Sequence, residues 1–324
     1  MENECLPNFR NCRSIPCCPA IRKSLLAGKS APVPPARLGL CAGEILVIEP
    51  RRLAARLAPG RVERSGVSRS LMAEKRSSPI PDPVAAYDRI APAFARLAQR
   101  RKAYLDRVDQ LVISQIPAGR RSLLDVGAGD GTRARRIARA GGLRELVLLE
   151  PSAGMRSNWP AQDQARTMRA EDLHQEQGRF DVITCLWNVL GHIAPAAKRV
   201  EVLRQFARLV APEGRIFLDV THRYNARHFG AVRTALRFLR DRVSPGGDVV
   251  VAWGAGGAEV RTTGHVFTHN EVRSLSRQAG LIIEKRFVVD YGTGELRRRS
   301  FEGNLLYVLR RADEPSKAAA AGAV

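Results

Sequence analysis

LLDVGAGDGT, residues 123–132, is the stretch on which the fold turns. Leu123 to Asp125 continue an apolar run that predicts a buried strand, and Gly127, Gly129 and Gly131 predict a tight turn leading into a helix near Thr132. Glycine suits such a turn because a side chain would block close approach of a ligand to the backbone and would disfavour positive φ. Ligands of open α/β sheets sit in this crevice, at the carboxyl ends of the strands. A nicotinamide dinucleotide fingerprint would need glycine at 132, where this chain has Thr132, so that class of ligand is disfavoured.

Working outward, ELVLLE (145–150), FDVITCL (180–186) and RIFLDV (215–220) read as further strands separated by helix-length segments, the pattern of βαβ units around a buried parallel sheet. The first of these strands ends in Glu150, followed by Pro151 and Ser152. A carboxylate there, 19 residues beyond Gly131, can accept two ribose hydroxyl protons. Upstream, YDRIAPAFARLAQRRKAYLDRVDQLV (87–112) has helical apolar spacing and predicts one or two amphipathic helices. Downstream lie a helix candidate (224–241), a pair of strand candidates (248–253 and 258–267) around a Gly-rich turn, a helix (270–280), and last strands at 281–290 and 304–310.

LLDVGAGDGT, LLEPS (148–152), AEDL (170–173), FDVITCLWNVLGHI (180–193) and LVAPEGRIFLDV (209–220) resemble, in order and spacing, the successive motifs of class I methyltransferases. The resemblance implies a Rossmann-like α/β fold with a seven-stranded, mostly parallel sheet whose last strand is antiparallel. It implies a cap inserted after the fifth strand over about 222–268, and S-adenosylmethionine as cofactor. By that likeness Asp125, Gly127, Gly129, Gly131, Glu150 and Pro151 belong to the cofactor site. Ala170 and Glu171 would border the adenine, and Leu186 would offer backbone to the methionine part. Tyr87, with Asp88, matches a helix that closes over the cofactor in many small-molecule members. Arg169 departs from the pattern, because many members carry Asp or Asn there to receive the adenine amino group; Asp172 or a main-chain carbonyl is the expected substitute.

Methyl transfer is an in-line displacement, so alignment and exclusion of water matter most, and a base is needed only for a nucleophile that arrives protonated. The candidates past the fourth strand are Trp187, Asn188 and His192; past the fifth they are Thr221, His222, Arg223 and Tyr224. Both clusters resemble, less specifically, the glycine and sarcosine N-methyltransferases. On that likeness Arg223 would grip a substrate carboxylate, while Asn188 and His192 would position the nucleophile. The plain alternatives are a helix-terminus histidine bonded to backbone at 192 and an arginine at 223 that is on the surface or binds the sheet edge. Tyr291, Gly292 and Thr293 are further candidates for the same cavity.

The chain has 324 residues and a formal charge of +21. Residues 1–80 hold 14 Lys+Arg against 6 Asp+Glu, and the remaining excess is largely arginine spread along helix faces, which reads as solvated surface. Basic balance leaves RNA methylation as an alternative to a small-molecule acceptor, though no RNA-binding module or base-gripping motif is present. A non-catalytic S-adenosylmethionine-binding protein is the other alternative. Residues 25–67 resemble a fragment of a DEAH-type helicase, with Gly28, Lys29 and Ser30 followed by EPRRLAAR, but Lys23 stands where the phosphate loop needs glycine.

The expected organisation is therefore a low-order, non-functional segment over 1–82, a methyltransferase domain over 83–313 and a disordered Ala-rich tail over 314–324. The early cysteines (5, 12, 17, 18 and 41) show no zinc spacing, and Cys185 reads as core; no metal is expected. With no signal peptide or long apolar run, a cytoplasmic protein without membrane partners is expected, its oligomeric state open.

Overall fold

The computed structural model describes residues 46–48, 82–161, 163–255 and 258–312. The helicase-like segment apart from Leu46–Ile48, the five early cysteines and the Ala-rich tail lie outside these residues. The sheet has eight strands in the order β10-β9-β11-β6-β5-β2-β3-β4: β2 Ser122–Val126, β3 Glu145–Leu149, β4 Gln164–Arg166, β5 Phe180–Cys185, β6 Val210–Val220, β9 Leu281–Val289, β10 Leu296–Arg297 and β11 Asn304–Arg311. Strands β4, β3, β2, β5 and β6 pair in parallel. β11 enters antiparallel between β6 and β9, and β10 pairs antiparallel with β9.

The central strands are apolar along their whole length because both faces are covered; β2 is buried at all five positions. One face packs on α5 (Ala196–Leu209) and α8 (His269–Gln278), with Phe206 fully buried, a burial of about 1.5–3 kcal/mol. The other packs on α2 (Lys102–Gln115) and α3 (Thr132–Ala140). The eighth strand exceeds the expected seven: β10 is a two-residue edge pairing with no apolar signature. β4 is three residues, mostly exposed, and equally silent in the sequence.

α1 (Pro83–Arg100) begins where the regular pattern begins, with Pro83 at its first position and the Asp82 side chain accepting from the Val84 amide. Its buried stripe, Ala86, Ile90, Ala93 and Leu97, packs against Val249, Val251, Trp253 and Val260 of a cap hairpin, β7 (Asp248–Ala255) with β8 (Ala258–His265). The cap also contains α6 (Ala226–Phe229) and α7 (Ala231–Asp241). These divide the single helix expected over 224–241, because Gly230 adopts φ 87° between them. β1, Leu46–Ile48, adds a third strand to the cap by pairing with Val250–Ala252 of β7. Among the described residues no helix is long and apolar enough to cross a membrane.

Candidate active site

The glycine turn hangs from the neighbouring strand: the amides of Gly127 and Ala128 both donate to the Leu149 carbonyl, at 2.8 and 3.0 Å. Gly127, Gly129 and Gly131 have φ of 74°, 56° and 71°. At Gly127 the requirement is also spatial, since a Cβ would lie 2.5 Å from Val189 Cγ2. Glu150 closes the turn. Its Oε2 accepts from the Gly129 amide and its Oε1 from the Ser152 amide, both at 2.9 Å. Each oxygen keeps a lone pair for a ligand hydroxyl. Burial pushes the Glu150 carboxyl above its ordinary range, and burial lifts Asp125, which accepts from Thr184 Oγ1, to about 6.

These groups border a cavity of about 140 Å³. Asp125, Gly127, Gly129, Glu150 and Pro151 line it from the turn side, and Ala170, Glu171, Leu186 and Tyr87 from the other elements. Gly131 stands outside the lining, at the N-cap of α3. Phe94 and Met155, not singled out by the sequence, line it as well. Arg169 also borders the cavity, with its guanidinium held in a two-pronged pair to Asp82 at 3.1 and 2.7 Å. Asp172 is not in the lining. α1 is fastened over the turn by Asp88, whose Oδ1 accepts from Ser152 Oγ at 2.6 Å and the Gly154 amide at 2.9 Å.

A second cavity, of about 40 Å³, shares Tyr87, Trp187 and His192 with the first. That volume suits the reactive end of a molecule, since one water occupies roughly 10–15 Å³ on this measure. Its apolar walls come from Val249, Val251, Trp253 and Val266 of the cap and Tyr291 before β10; Asn188, Thr221 and His228 supply polar groups. The corner between the cavities is strained, because Trp187 and Asn188 both have positive φ, 56° and 64°. Asp219 holds it: its carboxylate accepts from the Trp187 amide at 2.9 Å and from Tyr104 Oη at 2.5 Å, and its carbonyl accepts from the Asn188 amide at 3.0 Å.

The Asn188 amide is committed at both ends, Nδ2 donating to the His265 carbonyl at 3.1 Å and Oδ1 accepting from the Thr221 amide at 3.0 Å. His192 Nδ1 lies 2.8 Å from the Thr263 carbonyl, which only accepts, so Nδ1 carries the proton and Nε2 receives the Tyr87 hydroxyl. Burial lowers the His192 pKa. His228 differs: among the described residues no hydrogen bond is made by its ring nitrogens. Its ring stands edge-on to Tyr291 at 4.8 Å, and burial, reinforced by Arg101 and Arg237, lowers its pKa to about 4.

Arg223 lines neither cavity. It is buried; Nε donates to the Val266 carbonyl at 3.1 Å, Nη2 to Glu271 Oε2 at 2.9 Å, and Nη1 lies 3.7 Å from Asp241. His265 sits beside it, 2.6 Å from each of Asp248 and Glu271. The group clamps the cap to α8. His228, Trp253 and the cap valines escaped the sequence reading because no local motif marks them; they meet the site only through the cap's packing on α1.

The family model described as a methyltransferase domain matches residues 94–286, more than half of the chain. The chain belongs to the methyltransferase-domain family. Within it, the chain is 36% identical over 110 residues to a ubiquinone biosynthesis O-methyltransferase of Xanthomonas oryzae pv. oryzae, covering 31% of this chain and 43% of the relative. It is 33% identical over 135 residues to a protein of the same name from Ralstonia nicotianae, covering 38% and 52%. The chain thus spans about half the length of these relatives. Among solved structures, the CcbJ methyltransferase from Streptomyces caelestis shares the fold with TM-score 0.52 and 16% identity, over 72% of this chain and all of that one (100%). An S-adenosylmethionine-dependent methyltransferase from Clostridium acetobutylicum does so with TM-score 0.51 and 11% identity, over 68% and 99%.

Proposed function

We propose that this methyltransferase-domain protein moves a methyl group from S-adenosylmethionine to a hydroxyl of a small, uncharged, largely apolar acceptor. The observation that carries the reading is the meeting of two cavities at Tyr87, Trp187 and His192, one with the features of a nucleoside site and one walled by aromatic and aliphatic side chains. The free lone pairs of Glu150 would hold the ribose hydroxyls, and the three positive-φ glycines leave backbone open to the ligand. S-adenosylmethionine, when bound, supplies an electrophilic methyl on a sulfonium. Tyr87 and His192, bonded to each other, keep water from the junction.

In the second cavity the lining includes no Lys or Arg, and Arg223 is turned into its clamp, so an amino-acid carboxylate finds no cationic partner there. His228 is the side chain with an open ring nitrogen. Held neutral, its imidazole would accept the hydrogen bond of the acceptor's O–H and take up that proton as the oxygen gains the methyl. The O-methyltransferase names of the curated relatives agree with a hydroxyl acceptor.

Calorimetry on the full chain is expected to show S-adenosylmethionine and its demethylated product binding, with Glu150→Ala weaker by about 10- to 100-fold, the worth of hydrogen bonds to a charged group. Transfer of radiolabelled methyl should favour simple phenols and catechols over amino acids and RNA. No binding of either nucleoside would overturn the donor; transfer to RNA alone would overturn the acceptor.

A further inference from the structure

Apart from both cavities, α7 leaves Val232, Leu236, Leu239 and Val243 exposed by 75, 63, 57 and 89%. At spacings of four, three and four residues they form one stripe along the helix and the turn that follows it. Arg233 flanks the stripe on one side, beside Arg240, which is paired to Asp241 at 3.1 Å, and Arg242, stacked 5.1 Å from the Phe238 ring, flanks it on the other. The opposite face is fastened down. Thr234 is buried there, Arg237 stacks 4.7 Å over Phe229 and donates to the Arg223 carbonyl, and Asp241, the helix's sole acid, is buried and accepts from Tyr224 Oη at 3.0 Å. The exposed surface of α7 therefore pairs aliphatic groups with positive charge and offers no acid.

We propose that α7 is an interfacial helix that lies on an anionic lipid surface, its aliphatic stripe among the acyl chains and its arginines at the headgroups. Aliphatic stripe, cationic margins and low overall hydrophobicity are the combination that seats a helix in the plane of a membrane surface. Charge selects this occupant. A second copy packed on the stripe about a twofold axis would bring Arg233 and Arg242 against their own copies. The cap gains a further property from this: α7 joins α6 directly through Gly230, so the lipid-facing helix and the cavity-lining His228 share one strap.

The test is flotation of the full chain with vesicles of phosphatidylcholine alone and of phosphatidylcholine mixed with phosphatidylglycerol. Binding is expected to the anionic vesicles, weakened by high salt because part of it is Coulombic. Arg233→Gln with Arg242→Gln should cost about fivefold in affinity per arginine. Leu236→Glu with Leu239→Glu should lose binding to the anionic vesicles altogether. Circular dichroism and nucleoside calorimetry serve as fold controls, since both substitutions are on the surface. Absence of vesicle binding, equal binding to both compositions, or insensitivity to the leucine pair would each overturn the proposal. So would a dimer in sedimentation that Leu236→Glu dissolves while no vesicle binding occurs.

Discussion

The Tyr87 hydroxyl donates to Nε2 of His192 across 3.0 Å, tying α1 to the turn after β5, and His192 passes the tie on to the cap through the Thr263 carbonyl. Three segments distant in sequence thereby close over the junction of the two cavities. Tyr87→Phe keeps the ring and removes the tie. Losing one such bond is worth about 1 kcal/mol, so release of S-adenosylmethionine, followed by stopped-flow Trp fluorescence, should quicken by about fivefold. An unchanged release rate would mean that this contact does not hold the lid.

Gly127→Ala meets two obstacles, a φ of 74° and a Cβ 2.5 Å from Val189. Together they should destabilise the protein by about 1–3 kcal/mol, read from urea midpoints. Adding Val189→Ala should relieve the clash but not the roughly 1–2 kcal/mol backbone penalty. Full recovery in the double variant would show that space alone demands glycine there.

Arg223→Leu should act on stability and not on the acceptor. It removes the guanidinium shared by Glu271 and Asp241 but leaves Glu271 its His265 contact and Asp241 its contacts to Arg240 and Tyr224, a loss of about 1.5–3 kcal/mol for hydrogen bonds to charged groups. The acceptor KM of the folded fraction should be unchanged. A KM raised tenfold with stability intact would instead restore the carboxylate-gripping role that the N-methyltransferase likeness implies.

His222 and His228 are both held near pKa 4, below their ordinary value of 6.5, chiefly by burial. Between those values the unfolded chain binds protons that the folded one refuses, so stability is complete above about pH 6.5 and declines as pH falls towards 4, by up to about 3 kcal/mol per group. Asp125, raised to about 6, works against them: its cost appears as pH rises from 3.8 to 6. Urea titrations at pH 7.5 and 4.5 should show a smaller acid loss in His228→Asn than in the parent, and a larger one in Asp125→Asn. An identical acid slope in His228→Asn would mean that residue 228 is solvated.

Residues 123–152 by themselves determined the turn, its carboxylate and the parallel order of the strands around them, because φ preference, strand burial and the spacing from Gly131 to Glu150 act within a single βαβ unit. Further along, the likeness to N-methyltransferases put Arg223 at the substrate, and no motif marked His228. Only the tertiary structure decided where each of the two side chains lies. Arg223 is drawn into a buried ion-pair cluster by Glu271 and Asp241, whereas His228 faces the second cavity because Gly230 breaks the cap helix and the β7–β8 hairpin rests on α1. Side-chain direction at such positions is set by contacts between distant segments, through burial and charge pairing that no short stretch of sequence contains.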